Sequence, residues 1–169
     1  MNYSEFVRSK FKPGAAIAAE MTPEKAALLN HSIESMVAES TRLDLVKKQA
    51  IYNQDKGLFV GHIETHRFKD FTITPQQAEL LHAAIGLAGE AGELLDAVRK
   101  HVFDGQPLDR DNVIEEMGDL AFFFQAMLHA LGVDRVYIEA LNQAKLDERF
   151  KGGYSDKAAK ERADKAGAE

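Results

Sequence analysis

The chain has no cysteine and no tryptophan in its 169 residues, few prolines, and no basic excess. Without cysteine, thiolate metal sites, thiol nucleophiles and disulfide frameworks are excluded, and the composition fits a reducing compartment. Lys and Arg number 21 against 27 Asp and Glu, a formal net charge of −6. That balance argues against a general nucleic-acid-binding surface, which carries basic charge. It leaves room for a small phosphorylated ligand, which a few local cations and a metal can hold. No apolar run reaches the roughly 20 residues of a membrane span, and the first twenty residues hold no targeting-type apolar stretch. A soluble, cytoplasmic protein is the expectation. What the chain does have is 45% hydrophobic content, enough for a core without cross-links. Its length suits one domain with an arm or tail.

Apolar spacing gives an all-α reading. Tyr3 to Phe11 reads as a short amphipathic helix ended by Pro13-Gly14. Thr22-Pro23 opens a long helix with Ala26, Leu29, Ile33, Met36, Val37, Leu43 and Val46 at helical spacing. Asp55 to Phe71, rich in Gly, His and aromatics, reads as loop with some extended structure. Thr74-Pro75 starts a second long helix, with Gln77 placed for a capping box and Leu81, Ile85, Ala88, Gly92, Leu95 and Val102 as its core stripe. After a loop at Asp104 to Pro107, a third helix from about Asp111 to Leu131 is expected to bury Val113, Met117, Leu120, Phe124 and Leu128, with Gly132 at its end. A fourth runs from about Asp134 to Phe150, and the polar tail from Ser155 to Glu169 reads as frayed helix or disorder. The expected organisation is an N-terminal arm and loop over 1–72, a helical core over 73–154 and a flexible tail over 155–169.

The first long helix echoes the second. The shift that carries Thr22-Pro23 onto Thr74-Pro75 also carries Ala26, Leu28, Leu29, Ile33, Leu43, Asp44, Val46 and Lys48 onto Ala78, Leu80, Leu81, Ile85, Leu95, Asp96, Val98 and Lys100. Shared constraint on two Thr-Pro-opened amphipathic helices and true duplication both explain this, and both readings stand. Under duplication the degenerate copy at 22–50 lacks the acids, because Ala38 and Thr41 stand where Glu90 and Glu93 would be.

Those acids carry the chemistry. Glu90 and Glu93 lie three apart on the second long helix, Glu116 and Asp119 three apart on the third, so each pair shares a helix face. Surface acids on helices commonly have Lys or Arg three or four positions away. Here neither 70–98 nor 111–134 contains a single Lys or Arg. Packed antiparallel, the two helices bring both pairs together, where they would repel unless a cation intervenes. Hard oxygen ligands in that number suit Mg²⁺ or Mn²⁺. A solvated acidic face is the competing reading. Ala83, Gly86, Gly89 and Ala97 border the first pair, either as a close-packing device or as space for a substrate. On the fourth helix Asn142, Lys145 and Arg149 fall on one stripe and suit phosphate oxygens. Di-iron bundle chemistry needs two Glu-x-x-His spacings. The chain has one, Glu79 to His82, and no Walker-type or zinc-protease motif.

The pattern Glu90-x-x-Glu93, a spacer, then Glu116-x-x-Asp119, within GLAGEAGELLDAV and EEMGDLAFF, resembles the MazG-like nucleotide pyrophosphohydrolases of the all-α NTP pyrophosphatase superfamily. NQAKLDERFKGGYS, with Asn142, Lys145 and Arg149, is similar to the tail of the family motif, and MNYSEFV to the short first helix of phage and bacterial members. The resemblance covers roughly Leu80 to Tyr154. It implies an all-α, MazG-like helical bundle completed by oligomerisation as a homodimer or homotetramer. It implies Mg²⁺-dependent hydrolysis of a nucleoside triphosphate to the monophosphate and pyrophosphate, by water attack at the α-phosphorus. Glu90, Glu93, Glu116 and Asp119 would be the metal ligands, Glu93 also positioning the water. Asn142 would touch metal or phosphate, and Lys145 and Arg149, with Lys151 alongside, would hold the outer phosphates. The lean is to deoxynucleotides, purines such as dGTP among them. Rivals within the superfamily are dUTPase, dCTP pyrophosphatase and phosphoribosyl-ATP pyrophosphohydrolase activities. Phe59, His62, His66, Phe68 and Phe71 are candidates for stacking on a base or for loop packing. A different class, a non-catalytic helical interaction module, would have no use for four unneutralised acids on facing helices.

Overall fold

A computed structural model describes residues 2–58, 69–162 and 164. The described residues form α1 (Tyr3–Lys10), α2 (Gly14–Glu20), α3 (Pro23–Ala50), α4 (Pro75–Phe103), α5 (Arg110–Leu131), α6 (Arg135–Arg149) and α7 (Asp156–Glu161), and no strand. The chain divides into two compact units, 23–132 and a second made of 1–22 with 133–169. In the first of these α3 packs against α4. Among the described residues no helix is long and apolar enough to cross a membrane.

Helix ends follow local chemistry. Thr74 caps α4 and Gln77 returns the bond to the Thr74 N–H, completing the capping box. Asn2 and Glu5 do the same for α1. Gly132 ends α5 in the left-handed conformation at φ 68°, where a Cβ would be strained. One helix is an addition to the sequence reading, and another falls in the tail that reads as frayed helix or disorder. Pro13-Gly14 ends α1 but also starts α2, whose Ala-rich GAAIAAE has high intrinsic propensity and no amphipathic signal to reveal it. Within the tail, α7 follows Ser155, whose side chain accepts from the Ala158 N–H. Lys12 bridges Glu20 and Asp156 within that unit.

In the 23–132 unit α4 lies between α3 and α5, and its buried line is Ala83, Gly86, Gly89, Gly92 and Ala97. The small residues are there for close approach. A Cβ at Gly86 would meet the Phe123 ring at 2.2 Å, and one at Gly92 would meet Ser40 Oγ at 1.8 Å. The expected core stripes are corrected accordingly. Leu81, Val102 and Met117 are exposed and Phe123 is buried, while Gly92 and Leu128 are buried as expected. On α3, Leu29 and Met36 are exposed while Ser40 and Lys47 are buried. The seam of α3 runs Ile33, Val37, Ser40, Asp44, Lys47 at alternating steps of four and three. Apolar periodicity missed it because polar residues occupy the last three places.

Candidate functional site

The antiparallel α4–α5 pair, pinned at one end by the Gln76 amide donating to the Ala130 carbonyl and in the middle by Gly86 against Phe123, sets two helix faces opposite each other. Glu90, Glu116 and Asp119 each present a carboxylate oxygen there, and the three oxygens lie within 4.8 Å of one another. Glu116 is buried, 6% exposed, Glu90 half-buried and Asp119 exposed. Burial raises the Glu90 carboxyl above its usual range; nearby Lys47 opposes the shift, and Glu93, Asp119 and Asp44 add to it. Burial likewise raises Glu116, reinforced by Glu93, Glu90 and Asp119. Crowded, partly dehydrated carboxylates of this kind are costly without a cation. Three hard oxygen donors suit a small divalent ion.

Glu93 is exposed and stands outside that trio. With Glu116 it borders a cleft of about 190 Å³ walled also by Thr41 of α3, Asp96 and Lys100 of α4, and Asn112 of α5. The fourth acid therefore faces open space next to the cluster, where a ligand has room.

One further residue, which acid spacing and phosphate-binding patterns did not single out, completes the site and bears on the missing counter-charge. Lys47 of α3 is 4% exposed, with its Nζ 3.8 Å from Glu90 Oε1 and 2.9 Å from Asp44 Oδ1. Its ammonium lies 5.3 Å from the Phe123 ring centroid, within cation–π range. Lys48 pairs with the other Asp44 oxygen and is raised first by that hydrogen bond, burial opposing, with further attraction from Glu93 and Glu90. Part of the positive charge missing from the acidic stretches is thus a lysine of this chain. The signal was in the repeat: Asp44, Lys47 and Lys48 sit in register with Asp96, Arg99 and Lys100.

Asn142, Lys145 and Arg149 are on α6, in the other unit. Arg149 makes a double ion pair with Asp164, Nε to Oδ1 and Nη2 to Oδ2, both 2.6 Å. That pairing lowers the Asp164 carboxyl to about 2. The Asn142 carboxamide oxygen accepts from the Tyr3 hydroxyl at 3.5 Å, and Lys145 is exposed. His82 is held by the Tyr52 hydroxyl at 2.8 Å and packs edge-on to Phe123, so it belongs to an aromatic cluster. Phe59, His62, His66 and Phe68 lie outside the described residues, and Phe71 is exposed.

No curated protein and no solved structure matches the chain significantly. Residues 78–150 match the family model described as the MazG nucleotide pyrophosphohydrolase domain. The match runs from the first turn of α4 through α6, taking in all four acids with Asn142, Lys145 and Arg149, and leaving out α3. Members of that family are nucleoside triphosphate pyrophosphohydrolases, hydrolases acting on acid anhydrides. The acid cluster lies inside that matched segment, so residues 78–150 are the MazG-like part of the chain.

Proposed function

We propose that the chain hydrolyses a nucleoside triphosphate to the monophosphate and pyrophosphate, using Mg²⁺, or Mn²⁺ in its place. The observation that carries this is the convergence of Glu90, Glu116 and Asp119 oxygens within 4.8 Å inside a MazG-type segment. Those three would hold the ion, with Glu93 beside them. A divalent ion bound there supplies charge to phosphate oxygens and lowers the pKa of water. Glu93, exposed at the open cleft, orients the attacking water toward the α-phosphorus and accepts its proton. Lys145 and Arg149 hold the outer phosphates, Arg149 by exchanging Asp164 for a phosphate, since a guanidinium presents the same fork to either. Asn142 contributes an amide to the metal or to phosphate.

The lean is to deoxynucleotides, purines such as dGTP among them. A homodimer or homotetramer in the cytoplasm is the proposed setting. Exposed apolar side chains on α4 and α5 support the assembly: Phe122 is 67% exposed and Met117 58%, with Leu81, Val102 and Ile114 also open.

The test is a panel of ribo- and deoxynucleoside triphosphates and phosphoribosyl-ATP, incubated with the protein and Mg²⁺ and assayed for pyrophosphate. Monophosphate and pyrophosphate in equal amounts are expected, fastest from a deoxynucleotide. Failure to turn over any of them with Mg²⁺ or Mn²⁺, by folded protein, overturns the proposal. Light scattering on the eluting protein checks the oligomer, and a monomer at micromolar concentration removes it.

A further inference from the structure

A lysine that is 4% exposed is expensive unless its charge is matched. Lys47 has two anionic neighbours, and they are not equivalent. Asp44 already carries a second cation, Lys48, on its other oxygen. Its charge is met without Lys47. Glu90, 3.8 Å from Lys47 Nζ, belongs instead to the acid cluster. Neither 70–98 nor 111–134, the stretches that bear the cluster, contains a Lys or Arg. The three clustered carboxylates and this one ammonium leave two negative charges, to which Glu93 beside them adds a third.

The position of Lys47 is also fixed from the other side. Phe123 lies under the ammonium, and the same ring fills the space that Gly86 leaves on α4. The backbone at Gly89 runs beside it, an added Cβ there standing 3.9 Å from Nζ. The charge is thus held by packing of three helices rather than by a mobile surface chain.

We propose that Lys47 is a tethered place-holder cation: it steadies Glu90 when no metal is bound, and so lowers the site's affinity for a free divalent ion. This rests on the metal-site reading above. It adds that α3, outside the MazG-matched segment, is a working part of the site, with Lys47 as a positioning residue.

Manganese binding by the full-length protein without nucleotide, followed by titration calorimetry and by melting with and without Mn²⁺, tests it. Lys47→Met, which keeps the length of the chain and loses the charge, should bind Mn²⁺ roughly tenfold more tightly than wild type. Its metal-free melting temperature should fall by about 5 °C or more. Saturating Mn²⁺ should recover most of that loss, because ligand stabilisation grows as Kd falls. Lys47→Arg keeps the charge and should bind Mn²⁺ within about twofold of wild type. A Lys47→Met affinity equal to or weaker than wild type, or the same melting deficit with and without metal, makes Lys47 a packing residue and overturns the proposal. So does an Lys47→Arg affinity as tight as expected for Lys47→Met, which also decides the matter if Lys47→Met does not fold. No Mn²⁺ binding by folded wild type or any variant sinks the metal site itself, a failure distinct from that of Lys47.

Discussion

Helices α3 and α4 start from the same sequence pattern and meet each other at equivalent points. Ser40 of α3 and Gly92 of α4 correspond under the shift that carries Thr22 onto Thr74, and they touch where the helices cross. Asp44 is bridged by Lys47 and Lys48, as Asp96 is by Arg99 and Lys100. Each first cation also reaches across: Lys47 to Glu90 of α4, and Arg99 to Glu34 of α3, both at 3.8 Å. The difference flanks the crossing, two residues before it and one after. α4 has Glu90 and Glu93 where α3 has Ala38 and Thr41. One helix thus carries acids to the cluster while its counterpart carries a cation to the same place. The frame is common and the charge is divided. Duplication predicts this correspondence in packing, and shared constraint on two paired helices predicts it as well.

The sharpest way to break the comparison is to take the acids from the α4–α5 side. Glu116→Gln keeps the shape of a buried side chain and removes its charge. Turnover should fall on the order of 10²–10³-fold, as when a group that stabilises transition-state charge is lost. Helical content should be unchanged by circular dichroism. Ala38→Glu, placing an acid at the matching position of α3, should create no second site and leave turnover near wild type. Retained turnover in Glu116→Gln would refute the ligand assignment.

A second test exchanges the crossing residues. Gly92→Ser sets a Cβ 1.8 Å from where Ser40 Oγ lies, so it should destabilise by about 1–3 kcal/mol, typical of overpacking. The double variant with Ser40→Gly moves the side chain to the other helix. Contacting residues are not additive, and most of the loss should return in urea unfolding. Additive losses would show that the two positions are not interchangeable and would weaken the case for duplication.

The crossing also explains what the sequence made legible. The ends of α4 and α5 were legible because Thr74, Gln77 and Gly132 act locally through caps. The acid spacing was legible because a helix fixes which residues share a face. The core stripes were misread in part: Gly92 was expected in the core, but Gly86 is buried by the Phe123 ring that the neighbouring helix inserts, and no side chain of its own announces it. Lys47 was hidden for a related reason. Its partner Glu90 is distant in sequence, and a lysine two residues after Leu45 looks like solvent-facing charge. Ordering of α7 by Ser155 and Lys12 is again tertiary and capping chemistry beyond composition.

Acidity separates the clustered acids from the paired ones. Glu90 and Glu116 are raised above the ordinary value of 4.5, chiefly by burial. In that window the folded protein binds more protons than the unfolded chain, so metal-free stability should rise as pH falls toward 4.5. Asp44 and Asp96 are also raised by burial, but their lysine and arginine partners outweigh it and lower both below 3.8. Their contribution is present above the unfolded value and is lost as pH falls through the lowered one. Melting of the metal-free protein should therefore pass through a maximum on the acid side of neutrality, with Mn²⁺ affinity falling over the same range as protons compete. A steady decline in melting temperature from pH 7 downward would contradict the raised acids.

The smallest effects belong to the outer cations, where the two helices should behave alike. Lys48 and Lys100 each pair with an aspartate four residues earlier, and each is part-exposed, at 40% and 48%. Exposed pairs of this geometry contribute about 0.3–0.5 kcal/mol, most of the Coulomb attraction being screened by water. Lys48→Ala and Lys100→Ala should therefore each stay within about 0.5 kcal/mol of wild type in unfolding free energy. Raising the salt concentration should shrink both differences together. If Lys48→Ala alone lost more than about 1 kcal/mol, beyond the range for exposed pairs, Lys48 would be the counter-charge that Asp44 requires. Lys47 would then be the freer for Glu90, and the two helices would differ at their outer cations as well as at their acids.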